Sequence, residues 1–202
     1  KGHPDASVAI GVLASRKRVA ALLDCEPESL GKMLYHSVEE PIAPVEFQGA
    51  PPCQEVVHLA TDPDFDLNRL VPAPTNTPID AGPFFCLGLV LASDPEDSSL
   101  TDVTIHRLCV QERDELSMFL AAGRHIEVFR KKAEEAGKPL PVTINMGLDP
   151  AIYIGACFEA PTTPFGYNEL GVAGALRQQP VELVQGVAVK EKAIARAEII
   201  IE

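Results

Sequence analysis

The chain has 202 residues, 46% of them hydrophobic, and a formal net charge of -12. A chain of this length buries roughly 70% of its unfolded surface, so it needs no disulfide or metal staple, and its acidic balance opposes nucleic-acid binding, which uses a basic face to displace counterions. Five cysteines with no CxxC pair exclude a zinc ribbon and read as reduced, mostly buried thiols of a cytoplasmic protein. The longest apolar runs, about ten residues, are half of what a membrane-spanning helix requires, and no signal-peptide pattern opens the chain.

In chain order, ASVAIGVLAS predicts a short strand over 8–13. RKRVAALLDCEP predicts a helix with Val19, Leu22 and Leu23 on one face, and a second helix spans 28–39. Together these make a small α/β unit. PIAPVEF, GAPPC and VPAPTNTP are extended connectors, because proline fixes φ and removes a backbone donor. A domain boundary is placed near Ala60. FFCLGLVLA then reads as a buried strand. VTIHRLCV alternates, which puts Val103, Ile105 and Cys109 on the same side as Arg107. An arginine among apolar neighbours needs a partner or a ligand, unless it reaches solvent from an edge strand.

The clearest helix is 123–136. Ile126, Phe129 and Ala133 share one face and Lys131, Lys132, Glu134 and Glu135 cover the other. Gly137 with Pro139 ends it. Arg124 and His125 open it, where unpaired N–H groups and partial positive charge suit a phosphate. VTINMG is a strand, and DPAIYIGACFEAP mixes apolar with small residues that let a backbone approach a flat ligand. NELGVAGALRQQPVELVQGVAV gives a short helix and then strands. The chain stops within a strand pattern, AEIII, so further chain is expected beyond it.

No GxGxxG, Walker loop, HExxH or GxSxG is present. The chemistry-bearing residues are dispersed: Asp102, Arg107, His125 and Glu169. Asp, His and Glu offer an oxygen–nitrogen–oxygen donor set that suits Mn²⁺ or Mg²⁺ and not a thiolate zinc site. Their spacing is no ligand signature, and each has a plain structural reading beside it. Asp102 fits a turn or cap, His125 a first-turn histidine, and Glu169 an acid favoured at a helix start.

The blocks TDVTIHRLCVQ, GRHIEVFRKKAEEAGKPLPVTINMGLDPA and NELGVAGALRQQPVELVQ, followed by AEIIIE, resemble the central region of UbiD-family carboxy-lyases. The resemblance is strong from Asp66 to Glu202. KGHP through SRKRVAALL is similar to the end of that family's N-terminal α/β unit. PAPTNTPIDAGPFFCLGLVLASDP is most like the members that act on protocatechuate and 4-hydroxybenzoate. Several ordered blocks at matched spacing are more specific than any single motif. The resemblance implies an α+β fold: a partial N-terminal α/β unit and linker over 1–60, then a split β-barrel flavin-binding domain with flanking helices over 61–202, without the family's C-terminal domain. It implies non-oxidative decarboxylation of a hydroxybenzoate with prenylated FMN and a divalent metal, Mn²⁺ or Mg²⁺, with K⁺ as a further ion.

Residue by residue, the resemblance implies a metal held by Asp102, His125 and Glu169, and a cofactor phosphate held by that metal and Arg124. Thr104, Ile105 and His106, with Ala156, Cys157 and Phe158, would line the flavin largely through backbone. Arg107 would be catalytic, as the arginine of a Glu–Arg–Glu network. Both glutamates of that network normally follow the AEIIIE strand, so the proton donor is expected beyond this chain and the chain alone is expected to be inactive. Asp102 stands where Asn is commoner, and its extra charge would tighten metal binding or shift ion preference. Implied partners are a small aromatic acid, a flavin prenyltransferase that supplies the cofactor, and further copies of the chain in a homo-oligomer. Two rival readings are an FMN-dependent reductase on a similar barrel and a non-catalytic assembly module.

Overall fold

The computed structural model describes residues 3, 6–158 and 163–202. Helices α1 (Arg16–Leu22) and α2 (Leu30–Glu39) form as their apolar spacing requires, and a single helical turn, α3 (Leu67–Leu70), follows them. Ala20, Leu23 and Leu30 are buried in one core with Leu89, Leu91, Val103 and Leu170, so residues from both sides of Ala60 pack together. The strand expected over 8–13 does not form. Val8 and Ile10 are exposed and Gly11 turns the chain at φ 64. A short apolar run becomes a strand only against a neighbour that takes up its backbone hydrogen bonds, and no strand of the described residues pairs with it.

Five antiparallel strands make the main sheet: β2 (Phe84–Ser93), β3 (Thr101–Glu112), β4 (Glu115–Met118), β5 (Val142–Met146) and β8 (Ile199–Ile201), in the order β4-β3-β2-β5-β8. Both faces are covered, which is why FFCLGLVLA is a continuous apolar run and not an alternation. Leu89 and Leu91 face the core shared with α5 (Pro150–Gly155) and α6 (Leu170–Arg177). Val90 and Ala92 face a second core with Ile126 and Phe129 of α4 (His125–Glu135).

A smaller sheet joins β1 (Val45–Glu46), β6 (Glu182–Gln185) and β7 (Lys192–Ile194), with β1 parallel to β6. Proline-rich connectors thus contribute one short strand. Asn145 links the two sheets. Its fully buried amide donates to Leu89 O at 3.2 Å and Thr143 Oγ1 at 3.0 Å and accepts from the Ile194 N–H at 2.8 Å. The architecture is mixed α/β, with two open sheets among the described residues.

Lys132, expected on the solvated face of α4, reaches across to the end of β2. Its Nζ lies 2.6 Å from Asp94 Oδ2 and 3.1 Å from Glu96 Oε2. Burial pushes the Asp94 carboxyl up, but the Lys132 hydrogen bond and the Glu96 N–H outweigh it and hold the group below the usual range. A carboxylate depressed in the folded state contributes stability above its unfolded pKa of about 3.9, and loses it as pH falls through the lower folded value. Asp94→Ala is expected to lower unfolding stability by about 2 kcal/mol at neutral pH, the scale of a charge-assisted hydrogen bond. Urea titrations should show the gap between variant and parent narrowing as the pH drops below that range.

Candidate functional site

The site is assembled where β3 passes the start of α4. Asp102 pairs with Ala92 across the sheet and is 4% exposed. Its Oδ2 accepts from the Ile126 N–H at 2.9 Å. A strand residue therefore satisfies one of the donors that every helix start leaves open. Gly123, at φ 88, turns the chain, and Arg124 is the extended N-cap of α4. His125 Nδ1 lies 3.8 Å from Asp102 Oδ1. The His125 ring is held edge-on by Phe165, with centroids 4.9 Å apart, and Phe165 in turn contacts Phe129.

Glu169 comes from the other face of the sheet, as the N-cap of α6. It is 1% exposed, forms no cap bond, and its Oε2 has no hydrogen-bond partner among the described residues. Burial above all, with a smaller push from the charge of Asp102, lifts its carboxyl to about 8. Burial also raises Asp102, against the opposing pull of His125. Two coupled buried acids, one with an orphaned oxygen, call for a proton or a cation between them. The donors present are two carboxylates and an imidazole, which fit a hard divalent ion. Among the described residues no three His, Cys, Asp or Glu side chains stand in an ion-holding array. Asp102 and His125 are brought together, and Glu169 would have to close on them.

Gly155 sets the position of Glu169. A Cβ at Gly155 would lie 2.8 Å from Glu169 O and 3.2 Å from Ala173 N, so α5 and α6 touch through backbone. Gly155→Ala is expected to destabilise by about 1–3 kcal/mol, as overpacking does, and to displace Glu169. Paired denaturation and metal-binding titrations of the variant check both effects.

Residues 104–107 of β3, Arg124, and Ala156 and Cys157 at the end of α5 line one open cavity of about 450 Å³, together with Phe119 and Ala121. Phe158 lies just outside it, half-buried against the first core. His106 is pulled down by burial and by the Arg124 charge, so it is neutral near pH 7, and its buried Nε2 has no partner among the described residues. Cys157 is exposed, as is Cys86, and only Cys109 of the five thiols is buried, so the expectation of mostly buried thiols does not hold; partial burial of the Cys157 sulfur pushes its thiol up. Arg107 is exposed at a point where β2 bulges: the register slips between Phe85 and Gly88.

Phe119 and Ala121 are lining residues that the sequence reading missed. The β3–β4 hairpin pairs Leu108 with Met118, which carries the following Phe119 to the row of Arg107. The hairpin signal was the turn in VQERDELSM. A larger cavity of about 660 Å³ lies between α5, α6 and β6. It holds none of the expected site residues, and its Arg177 and Arg196 are engaged by Asp149 at 2.8 Å and Glu182 at 2.6 Å.

Residues 45–202 match the family described as UbiD, the 3-octaprenyl-4-hydroxybenzoate carboxy-lyase Rift-related domain. The chain is 52% identical to a gallate decarboxylase of Lactiplantibacillus plantarum over 100% of its own length and 41% of that protein. Among solved structures, it is similar to the apo 3,4-dihydroxybenzoic acid decarboxylase of Enterobacter cloacae, with 79% identity, a TM-score of 0.91, and coverage of 98% of this chain and 41% of that one. It is also similar to an evolved dimeric form of HmfF from Pelotomaculum thermopropionicum, a UbiD-class enzyme in complex with prenylated FMN, with 33% identity, a TM-score of 0.83, and coverage of 94% and 43%. The chain therefore spans about two-fifths of the length of these relatives.

Proposed function

The chain belongs to the UbiD family, and from that premise we propose that it is the cofactor-binding part of a decarboxylase that converts protocatechuate to catechol, or 4-hydroxybenzoate to phenol. The observation that carries the reading is the cavity at β3 and α4. Its walls gather residues 104–107, Arg124, Ala156 and Cys157, and the buried acids Asp102 and Glu169 lie on β3 and at the start of α6. In this reading residues 61–202 form a split-barrel flavin unit and residues 1–60 the tail of an α/β unit.

Loss of carbon dioxide from an aromatic ring leaves an electron pair that no side chain can accept, and prenylated FMN supplies that electron sink when bound. The chain's own residues hold the reactants. Asp102, His125 and Glu169 would hold Mn²⁺ or Mg²⁺. Arg124 and the start of α4 would hold the flavin phosphate. Arg107 would take the substrate carboxylate in a charge-assisted fork. The glutamic acid that returns a proton to the ring would come from chain beyond Glu202, and a homo-oligomer would form the working enzyme. The test is full-length protein, made together with a flavin prenyltransferase and supplied with protocatechuate, 4-hydroxybenzoate or gallate. Release of catechol or phenol is expected. Release from gallate alone would move the substrate assignment, and no carbon dioxide from any of the three would overturn the reading.

A further inference from the structure

A turn that precedes β2 fixes a carboxylate beside the β2 bulge that faces Arg107. Asp80 accepts from the N–H groups of Asn76 at 2.9 Å and Thr77 at 2.8 Å, and from the Thr77 hydroxyl at 2.8 Å. These bonds fix the group and hold it ionised: the Thr77 backbone and side chain depress its pKa most, and the charge of Arg107 adds to them. The turn is tethered to the sheet at the same place. Asn76 Nδ2 donates to Cys86 Sγ at 3.6 Å, and Cys86 lies in the β2 bulge opposite Arg107. The Phe84 N–H donates to Pro74 O at 3.0 Å, closing the loop at its base.

Decarboxylation destroys the charge that an arginine would recognise, because a carboxylate leaves as neutral carbon dioxide. A grip on that carboxylate which is stronger in the ground state than in the transition state slows the chemical step. We propose that Asp80 is a positioning residue acting through Arg107: its immobilised charge moderates the hold of the guanidinium on the acid, so that binding does not deepen the ground state. The inference rests on the decarboxylase reading above. It assigns a role to a residue outside the metal and flavin sets, in a loop that itself contributes no lining residue to the cavity.

Asp80→Asn in the full-length holoenzyme should lower KM and kcat for protocatechuate together, each by about threefold, the scale of an exposed charge pair, with kcat/KM nearly unchanged. Calorimetry gives a readout that needs no turnover. The variant should bind benzoate about threefold more tightly and catechol, which has no carboxylate, as the parent does. Thr77→Val, which loosens the turn but keeps the charge, should leave benzoate binding unaltered, whereas a purely structural turn would make it follow Asp80→Asn. Asp80→Ser keeps a capping acceptor without the charge and should repeat the Asn result if Asn disturbs the turn. Benzoate binding that weakens or stays the same in both Asp80 variants would overturn the proposal. A parent enzyme that releases no carbon dioxide would overturn the decarboxylase reading instead, and the benzoate comparison would still decide whether Asp80 tunes Arg107.

Discussion

Arg107→Ala is expected to lower decarboxylation by the full-length enzyme by about a hundredfold or more while leaving the fold intact. Arg107 stands on the surface of β3, at a bulge, and lines the cavity. Removing it opens no void in either core and orphans no buried charge, so stability should change by no more than a few tenths of a kcal/mol, about the scale of a surface substitution. Its loss falls on the reacting state. A charge-assisted contact made where charge is redistributed contributes on the order of 3 kcal/mol to the barrier, or about two decades in rate. Single-turnover release of carbon dioxide, with the melting temperature as a parallel readout, separates the two effects. Near-normal turnover would take Arg107 out of the chemistry.

The second large effect is expected at the buried acids. His125→Ala and Glu169→Ala should each strip the divalent ion and, with it, most of the flavin. When no ion is present the site offers a phosphate no divalent charge: burial keeps the Glu169 carboxyl largely protonated near pH 7, any ionised Asp102 repels the phosphate, and only Arg124 and the start of α4 attract it. With the ion, the same carboxylates become its ligands and the balance turns attractive. Glu169→Ala separates binding from folding. It removes a 1% exposed carboxyl with an orphaned oxygen, so the metal-free variant should unfold no more readily than the metal-free parent, apart from the space left behind. Flavin and metal per protomer after gel filtration, with and without added Mn²⁺, give the answer. Lys132 is no control for this experiment, because it pairs with buried Asp94. The exposed Lys138 is, and Lys138→Ala should retain both groups. Flavin that stays bound after the metal is removed would break the link from carboxylates through metal to phosphate.

The sequence revealed those elements whose pattern is fixed by local periodicity. The helix expected over 123–136 is α4, His125–Glu135, because Ile126, Phe129 and Ala133 already define a buried face. The runs around FFCLGLVLA, VTIHRLCV and VTINMG are β2, β3 and β5. What local pattern could not reveal depends on pairing at a distance. Val8 to Leu13 has a buried strand's apolar run but no neighbour among the described residues. Val45 and Glu46 become a strand because Glu182 and Leu183 lie beside them.

One missed element was legible. Asp149 and Pro150 are a helix start, with the Asp149 carboxylate accepting from the Ala151 N–H at 2.8 Å and proline at the first helical position, yet the segment read only as small and apolar. At the site, the contact of Asp102 with Ile126 spans 24 residues, and the bulge that leaves Arg107 exposed lies in a different strand. The identities of Asp102, His125 and Glu169 could be proposed from ordered blocks of sequence. The 3.8 Å approach of the first two, and the orphaned oxygen of the third, needed the fold.

The most direct measurement is native mass spectrometry of the full-length protein made together with a flavin prenyltransferase. The predicted result is one divalent ion and one flavin per protomer, the flavin heavier than FMN by its prenyl-derived addition, and both lost in Glu169→Ala. A protein that carries no flavin, or one that keeps unmodified FMN and reduces it with a nicotinamide, would contradict the proposed function.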